Sequence, residues 1–120
     1  MAMCEQGYLC EVCGKDVETL SQSDLYLRYV IGEVDPEVLH TTPERHLRCN
    51  PVLAQFIIHP DFAPMTVTGP FDRRTLDACF VSSRCEWVTR GFARLIELER
   101  SGGESDVTAY PLPEVLQRYQ

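Results

Sequence analysis

The sequence predicts an α+β fold, in which a small metal-binding unit with a β-hairpin precedes a long amphipathic helix or a pair of helices. Two short motifs of cysteine and histidine, separated by enough chain for a hairpin, predict the metal-binding unit. An aromatic and β-branched run predicts its strand, and apolar residues at helical spacing predict the long helix. We expect residues 1–60 to form the metal-binding unit and residues 61–120 to form a helical part that packs on it, in one compact domain.

The metal-binding motifs are Cys10-x-x-Cys13-Gly14 and His46-x-x-Cys49, with 32 residues between Cys13 and His46. Each pair has two intervening residues, and together they supply the four sulfur and nitrogen donors that one tetrahedral Zn²⁺ requires. Four protein ligands leave no coordination position for water or substrate, which favours structural over catalytic zinc. We therefore expect Zn²⁺ bound by Cys10, Cys13, His46 and Cys49.

The other cysteines and one further histidine leave alternatives open. His40 ends the second strand of the predicted hairpin and rivals His46 as a ligand, and Cys4 precedes the first motif and supplies a further thiol. Cys79 and Cys85 lie six residues apart on the predicted long helix, so their side chains differ in direction by about 120°. We expect these two to be core or half-buried thiols. A redox role for the first motif alone is disfavoured, because the βαβ context of thioredoxin-like motifs is missing.

The hairpin is predicted between the two ligand pairs. Residues 25–31, Leu-Tyr-Leu-Arg-Tyr-Val-Ile, are aromatic and β-branched, which is typical of a strand. Asp35-Pro36 supplies turn chemistry, and residues 38–40 can return as the partner strand.

Two interpretations of the second ligand pair stay open. Residues 42–43 (Thr-Pro) can be the N-cap and first position of a helix that carries His46 and Cys49. Residues 50–51 (Asn-Pro) can instead begin a helix over residues 52–58, which leaves both ligands in the turn before it. In either arrangement the pair lies near a helix N-terminus, where the helix dipole favours the Cys49 thiolate.

The second half of the chain is predicted to be mainly helical. Prolines and glycines make residues 59–71 an irregular connector, and Asp72 is the predicted N-cap of a helix over residues 73–100 with two adjoining apolar stripes. Gly91 within it indicates either close packing or a break into two helices. The remaining predictions are a helix stop at residues 101–103, a short strand over residues 107–112 and a last helical turn over residues 113–119.

The charge of the chain argues against binding to nucleic acid. Its 18 acidic and 11 basic side chains give a formal net charge of −7, which opposes the phosphate backbone. The basic clusters, Arg45 with Arg48 and Arg73 with Arg74, have acidic neighbours and are expected to be solvated surface. No apolar run approaches the ~20 residues of a membrane span, and the N-terminus lacks an export signal, so we expect a cytoplasmic protein.

The order of these elements resembles the treble-clef zinc fingers over about residues 10–58. The resemblance implies that Cys10 and Cys13 occupy the zinc knuckle and that His46 and Cys49 occupy the helix pair. The chain departs from that family at residues 50–51 (Asn-Pro), where treble-clef fingers continue the helix without interruption. No specific family is indicated for the remainder of the chain.

The predicted function is a non-enzymatic protein-interaction or adaptor module with structural zinc, whose partner is another protein. Ser-His-Asp combinations, Gly-rich phosphate loops and paired carboxylates at a known spacing are all missing. Two alternatives stay open. A nuclease similar to the HNH group, whose ββα-metal core is treble-clef-like, would use His40 as general base. A nucleic-acid-binding zinc finger would use side chains that contact phosphates and stack bases, namely Arg45, Arg48, Tyr26 and Tyr29.

Overall fold

The computed structural model describes residues 8–102 and 106–119. The described chain begins with two short strands, β1 (Tyr8–Leu9) and β2 (Asp16–Val17), which pair in antiparallel register with Tyr8 opposite Val17. The turn between them carries the first cysteine pair. Gly14 in that turn has a φ of +76°, a conformation that a residue without a Cβ adopts at little cost.

The predicted strand over residues 25–31 is wrong, because this segment forms helix α1 (Asp24–Val30). The Ser23 side chain caps the helix by accepting a hydrogen bond from the Tyr26 N–H, and Arg28 pairs with Asp24 one turn earlier. Six of its seven residues are buried. Because α1 is short and buried on nearly all sides, its apolar residues show no clear helical period. The aromatic and β-branched composition therefore predicted a strand incorrectly.

The predicted partner strand is also wrong. Residues Pro36–Thr41 form a 3₁₀ helix, which Asp35 caps by accepting a hydrogen bond from the Glu37 N–H. The β-hairpin required by the treble-clef resemblance is therefore not formed at residues 25–40. The structure does not confirm a treble-clef fold, although it keeps the strand-flanked turn at the first ligand pair.

The second interpretation of the later ligand pair is confirmed in outline. No helix begins at Thr42; a 3₁₀ turn (Leu47–Cys49) is followed by helix α2 (Pro51–Ala54), with Pro51 at its first position. The helix is shorter than predicted and ends before Phe56. The connector over residues 59–71 contains neither helix nor strand, as expected.

The long helix is a single element, α3 (Ala78–Arg100). Asp77 caps it, whereas the predicted cap, Asp72, caps a 3₁₀ turn (Arg73–Thr75) that precedes it. Gly91 marks close packing rather than a break. A Cβ at this position would overlap Ile31 Cγ2 and lie 2.9 Å from Leu27 Cδ1, so glycine lets α1 approach α3.

One of the two elements predicted for the C-terminal segment is confirmed. Residues Val107–Ala109 form a 3₁₀ turn, so the predicted short strand is wrong. The last helical turn is confirmed as helix α4 (Pro113–Leu116) with proline at its first position. Gly102 ends α3 with a φ of +69°, and Gly103 lies outside the described residues.

The hydrophobic core joins α1, α2, α3 and the C-terminal segment. Tyr29 donates a hydrogen bond from its hydroxyl to the Val107 carbonyl at 2.9 Å, and Trp87 Nε1 donates to the Ile31 carbonyl at 3.1 Å. The most deeply buried large side chains come from both halves of the chain: Leu27, Val30, Leu47, Val88, Phe92, Leu95 and Val115. Within the described ranges, no helix has the length and apolar character to cross a membrane.

Candidate metal centre

The structure brings Cys10, Cys13, His46 and Cys49 together. Their donor atoms all lie within 4.8 Å of one another. His46 Nδ1 lies 3.3 Å from the Cys13 sulfur and 3.9 Å from the Cys49 sulfur. Bonds of about 2.3 Å to sulfur and about 2.0 Å to nitrogen give a tetrahedral site with edges of roughly 3.5–3.8 Å. The four side chains can therefore hold a metal ion of that size.

Backbone hydrogen bonds hold the two ligand pairs against each other. The Glu11 N–H donates to the Glu44 carbonyl at 2.9 Å, which joins the first turn to the segment before His46. The Cys10 N–H donates to the Lys15 carbonyl at 2.9 Å and closes the turn on itself. Main-chain contacts thus hold the two ligand pairs together in the structure.

The second pair is also fixed to the start of α1. Ser23 and His46 form an isolated antiparallel bridge, and the Asp24 N–H donates to the Arg45 carbonyl at 2.9 Å. Because Ser23 is also the N-cap of α1, the position of this helix and that of the His46 backbone are set together.

The orientation of the His46 ring suits a metal ligand. Nε2 lies 2.8 Å from the Asp16 carbonyl oxygen, which can only accept a hydrogen bond, so Nε2 carries the proton. The unprotonated Nδ1 then faces the cysteine sulfurs. Such a hydrogen bond from the distal ring nitrogen is the usual way in which proteins orient a metal-binding imidazole.

Cys10 is the most buried of the four, with 2% of its surface exposed. Burial opposes ionisation of the thiol, but three backbone N–H groups point at the sulfur and favour the thiolate. They belong to Cys13, His46 and Val12, and their combined effect lowers the pKa of Cys10 to about 6. This sulfur is a thiolate at neutral pH before any ion binds.

Cys49 behaves in the opposite way. Burial, together with the nearby sulfurs of Cys10 and Cys13, raises the pKa of Cys49 to about 11. A cluster of thiolates without a cation is therefore electrostatically unfavourable. A divalent ion held by these side chains would supply the missing positive charge and favour loss of the Cys49 proton.

Asp24 is a buried carboxylate that supports the segment before the second ligand pair. Its side chain has no exposed surface, and Oδ2 accepts hydrogen bonds from Arg28 Nε at 2.9 Å and Arg45 Nε at 2.8 Å. Oδ1 accepts from Asn50 Nδ2 at 2.8 Å. These contacts tie α1 to residues on both sides of His46 and Cys49.

Glu44 is a second buried carboxylate in the same segment. Oε1 accepts hydrogen bonds from the Ser23 hydroxyl at 2.7 Å and from the backbone N–H groups of Leu25 and Arg45. Oε2 is buried without a hydrogen-bond partner in the described part of the chain. Burial raises the pKa of Glu44, with the charge of Asp24 adding to the effect.

Asp24 and Glu44 are not among the site residues that the sequence predicts. A usable signal was present, because Ser23 followed by Asp24 and, four residues later, Arg28 is an N-cap with an ion pair at helical spacing. That pattern would have indicated a helix in place of the predicted strand. Nothing in the sequence marks Glu44 as buried.

The other predicted site residues lie away from the donor cluster or outside the described residues. His40 is exposed on its 3₁₀ helix and is not part of the donor cluster. Cys85 is buried, as expected, whereas the prediction for Cys79 is wrong because it is exposed. Cys4 lies outside the described residues.

The predicted nucleic-acid contacts are not assembled into one surface. Tyr26 and Tyr29 are 4% and 2% exposed, so neither ring can stack on a base. Arg45 binds Asp24, and Arg48 lies over the Phe62 ring at 4.5 Å. These side chains stabilise the fold around the metal centre.

No family model, curated protein or solved structure matches this chain. The interpretation of the cluster as a metal centre therefore depends on the identity and the geometry of its four donors.

Proposed function

We propose that this protein is a small cytoplasmic zinc-binding module, in which structural Zn²⁺ at Cys10, Cys13, His46 and Cys49 stabilises a surface for another protein. The observation that carries this proposal is the closeness of four sulfur and nitrogen donors, all within 4.8 Å. Thiolate and imidazole ligands favour zinc over magnesium or calcium, which prefer oxygen. Four protein ligands also fill a tetrahedral site, as in structural zinc centres.

The energy of such a site is large on the scale of this chain. Structural zinc contributes roughly 10–16 kcal/mol of apparent binding free energy in small domains, and a typical domain is stable by about 5–15 kcal/mol. The ion would connect residues 10–13 to residues 46–49, two segments that otherwise meet through few backbone hydrogen bonds. Zinc binding and folding of this region are therefore coupled in the proposal.

Surface features support a role in protein binding. Leu9, which precedes Cys10, and Val12, which lies between the two cysteines of the first pair, are 61% and 59% exposed. Contiguous exposed apolar surface is typical of protein contact sites, and in this proposal the two side chains belong to one such surface. None of the three cysteines of the metal centre forms a disulfide with another described residue, which suits a reducing compartment such as the cytoplasm.

The test is metal analysis of the purified protein with single-ligand variants. We expect one zinc per chain in the wild type and in His40→Ala, and loss of zinc in Cys10→Ser and His46→Ala. Removal of zinc with a chelator should unfold the protein, as measured by circular dichroism. Wild-type protein that contains no metal and melts identically with and without chelator would exclude the proposal. Nicking of plasmid DNA with Mg²⁺, abolished by His40→Ala, would favour the nuclease alternative instead.

A further inference from the structure

A cleft of about 940 Å³ lies between the metal centre and the connector that precedes α3. Cys13, His46 and Cys49 line one side, and Phe62 and Phe92 line the other. This volume is within the range of roughly 300–1,000 Å³ that is usual for ligand sites. The metal ligands therefore form a wall of an open, concave surface.

The cleft has apolar surface at its base and at its rim. Phe62 and Phe92 form an edge-to-face pair with ring centres 5.3 Å apart, and the guanidinium of Arg48 covers the outer face of Phe62. Leu47, also in the lining, is buried. Leu9 extends the apolar surface outwards. Phe62, Phe92 and Leu47 are themselves almost fully covered, so the apolar surface that a ligand can still contact lies at the rim of the cleft, around Leu9, which is 61% exposed.

The charge of the cleft is mostly negative. Asp16, Glu18 and Asp61 line it together with Lys15 and Arg48. Arg48 is already engaged, because it donates to the Ala63 carbonyl and stacks on Phe62. When a divalent ion is bound, three thiolates exceed its charge by one and add to the negative field.

Two of these carboxylates lack a cationic partner. Neither Asp16 nor Glu18 forms an ion pair with another described side chain, and Asp61 has only a long contact of 3.6 Å to Arg100. Arg28, Arg45, Arg74, Arg84, Arg90 and Arg94, in contrast, all have closer carboxylate partners. The cleft therefore presents acidic groups that can still pair with a ligand.

We propose that this cleft binds a segment of a partner protein that carries an apolar side chain flanked by lysine or arginine. The apolar rim around Leu9 would contact the apolar side chain, and Asp16, Glu18 and Asp61 would contact the basic ones. The formal net charge of −7 also attracts a basic partner at long range. The inference rests on the proposed function, since it names the surface and the partner chemistry of that interaction module.

The experiment is selection of a random-peptide display library on the zinc-loaded full-length protein, followed by affinity measurements on the enriched peptides. We expect the enriched peptides to have lysine or arginine next to large apolar residues. The double variant Glu18→Lys/Asp61→Lys should weaken their binding by about tenfold or more, because it reverses the charge of the cleft. Glu37→Lys/Glu86→Lys makes the same change in net charge at exposed sites outside the cleft and should leave affinity within about twofold.

A second pair of variants tests the apolar contact. Leu9→Ser removes an exposed apolar side chain from the rim of the cleft and should weaken binding, whereas Val38→Ser removes one that is exposed elsewhere and should not. Failure to enrich any peptide, or binding that is equally sensitive to the cleft variants and their controls, would overturn the inference. Neither result bears on the structural zinc, which metal content and chelator-induced unfolding test separately.

Discussion

His46 Nε2 donates a hydrogen bond to the main-chain carbonyl of Asp16 at 2.8 Å, and this contact fixes which ring nitrogen faces the cysteine sulfurs. Asp16 belongs to β2, so the strand that closes the first cysteine turn also orients the histidine of the second pair. The acceptor is a backbone atom, which no substitution of Asp16 removes. We therefore expect Asp16→Ala to keep the metal centre.

Metal affinity should rise with pH. The pKa of Cys49, raised to about 11 by burial and by the neighbouring sulfurs, means that this thiol is protonated at neutral pH before the ion binds. Binding must release its proton, so each increase in pH lowers the cost of binding. Cys10, with a pKa of about 6, adds a further proton release only in acidic solution. Calorimetric titration of zinc in buffers of different ionisation enthalpy counts the protons released on binding. A zinc affinity that does not change between about pH 6 and 8 would contradict the release of the Cys49 proton.

Asp24→Asn should destabilise the protein strongly. The substitution removes the charge that pairs with Arg28 and Arg45 and places an amide nitrogen where an acceptor is needed. Because Asp24 is fully buried, we expect a loss of about 2–4 kcal/mol in the free energy of unfolding. Urea denaturation of the zinc-loaded protein measures this. Asp61→Asn, at an exposed carboxylate with only a long ion pair, should change stability by less than about 0.5 kcal/mol.

Gly91→Ala should destabilise the contact between α1 and α3. Alanine is a better helix former than glycine by about 1 kcal/mol, but its Cβ would overlap Ile31 and crowd Leu27. Overpacking of this kind costs about 1–3 kcal/mol, so we expect a net loss of stability. Ala93→Gly, two positions away on the exposed face, should cost about 1 kcal/mol from helix propensity alone. A more stable Gly91→Ala variant in thermal denaturation would contradict close packing here.

Glu44 should make stability fall with increasing pH. Its pKa is raised in the folded protein, so the unfolded chain releases this proton at lower pH than the folded one. Protonated Glu44 therefore favours the folded state at pH values below its pKa in the unfolded chain. This stabilisation is lost as the pH rises through the pKa of Glu44 in the folded protein. The unfolding free energy of the wild type minus that of Glu44→Gln should therefore decrease as the pH rises from about 4 to 7. A difference that is constant, or that increases, would contradict the burial of this carboxylate.

The sequence predicted the donor set and the long helix because both depend on local patterns. Ligand spacing is set by the coordination chemistry of the ion, and the apolar stripe of α3 extends over many turns. The strand predicted over residues 25–31 failed because the apolar run outweighed the Ser23 cap and the Asp24–Arg28 spacing, and because α1 buries nearly all of its surface by packing against α3. Asp24 and Glu44 could not be assigned either, because their burial depends on contacts between segments about 20 residues apart.

The two cysteine and histidine pairs enclose the 32 residues between Cys13 and His46, and the whole of α1 lies within that enclosed stretch. An ion bound by all four side chains would act as a reversible cross-link between the two segments, and because the site forms only in the folded chain, the ion would stabilise the folded state by mass action. Unlike a disulfide, the bound ion could be removed by a competing chelator without any change in the oxidation state of the cysteines. Availability of the ion would then also influence how firmly the N-terminus of α1 is held, because Ser23, its cap, pairs with His46.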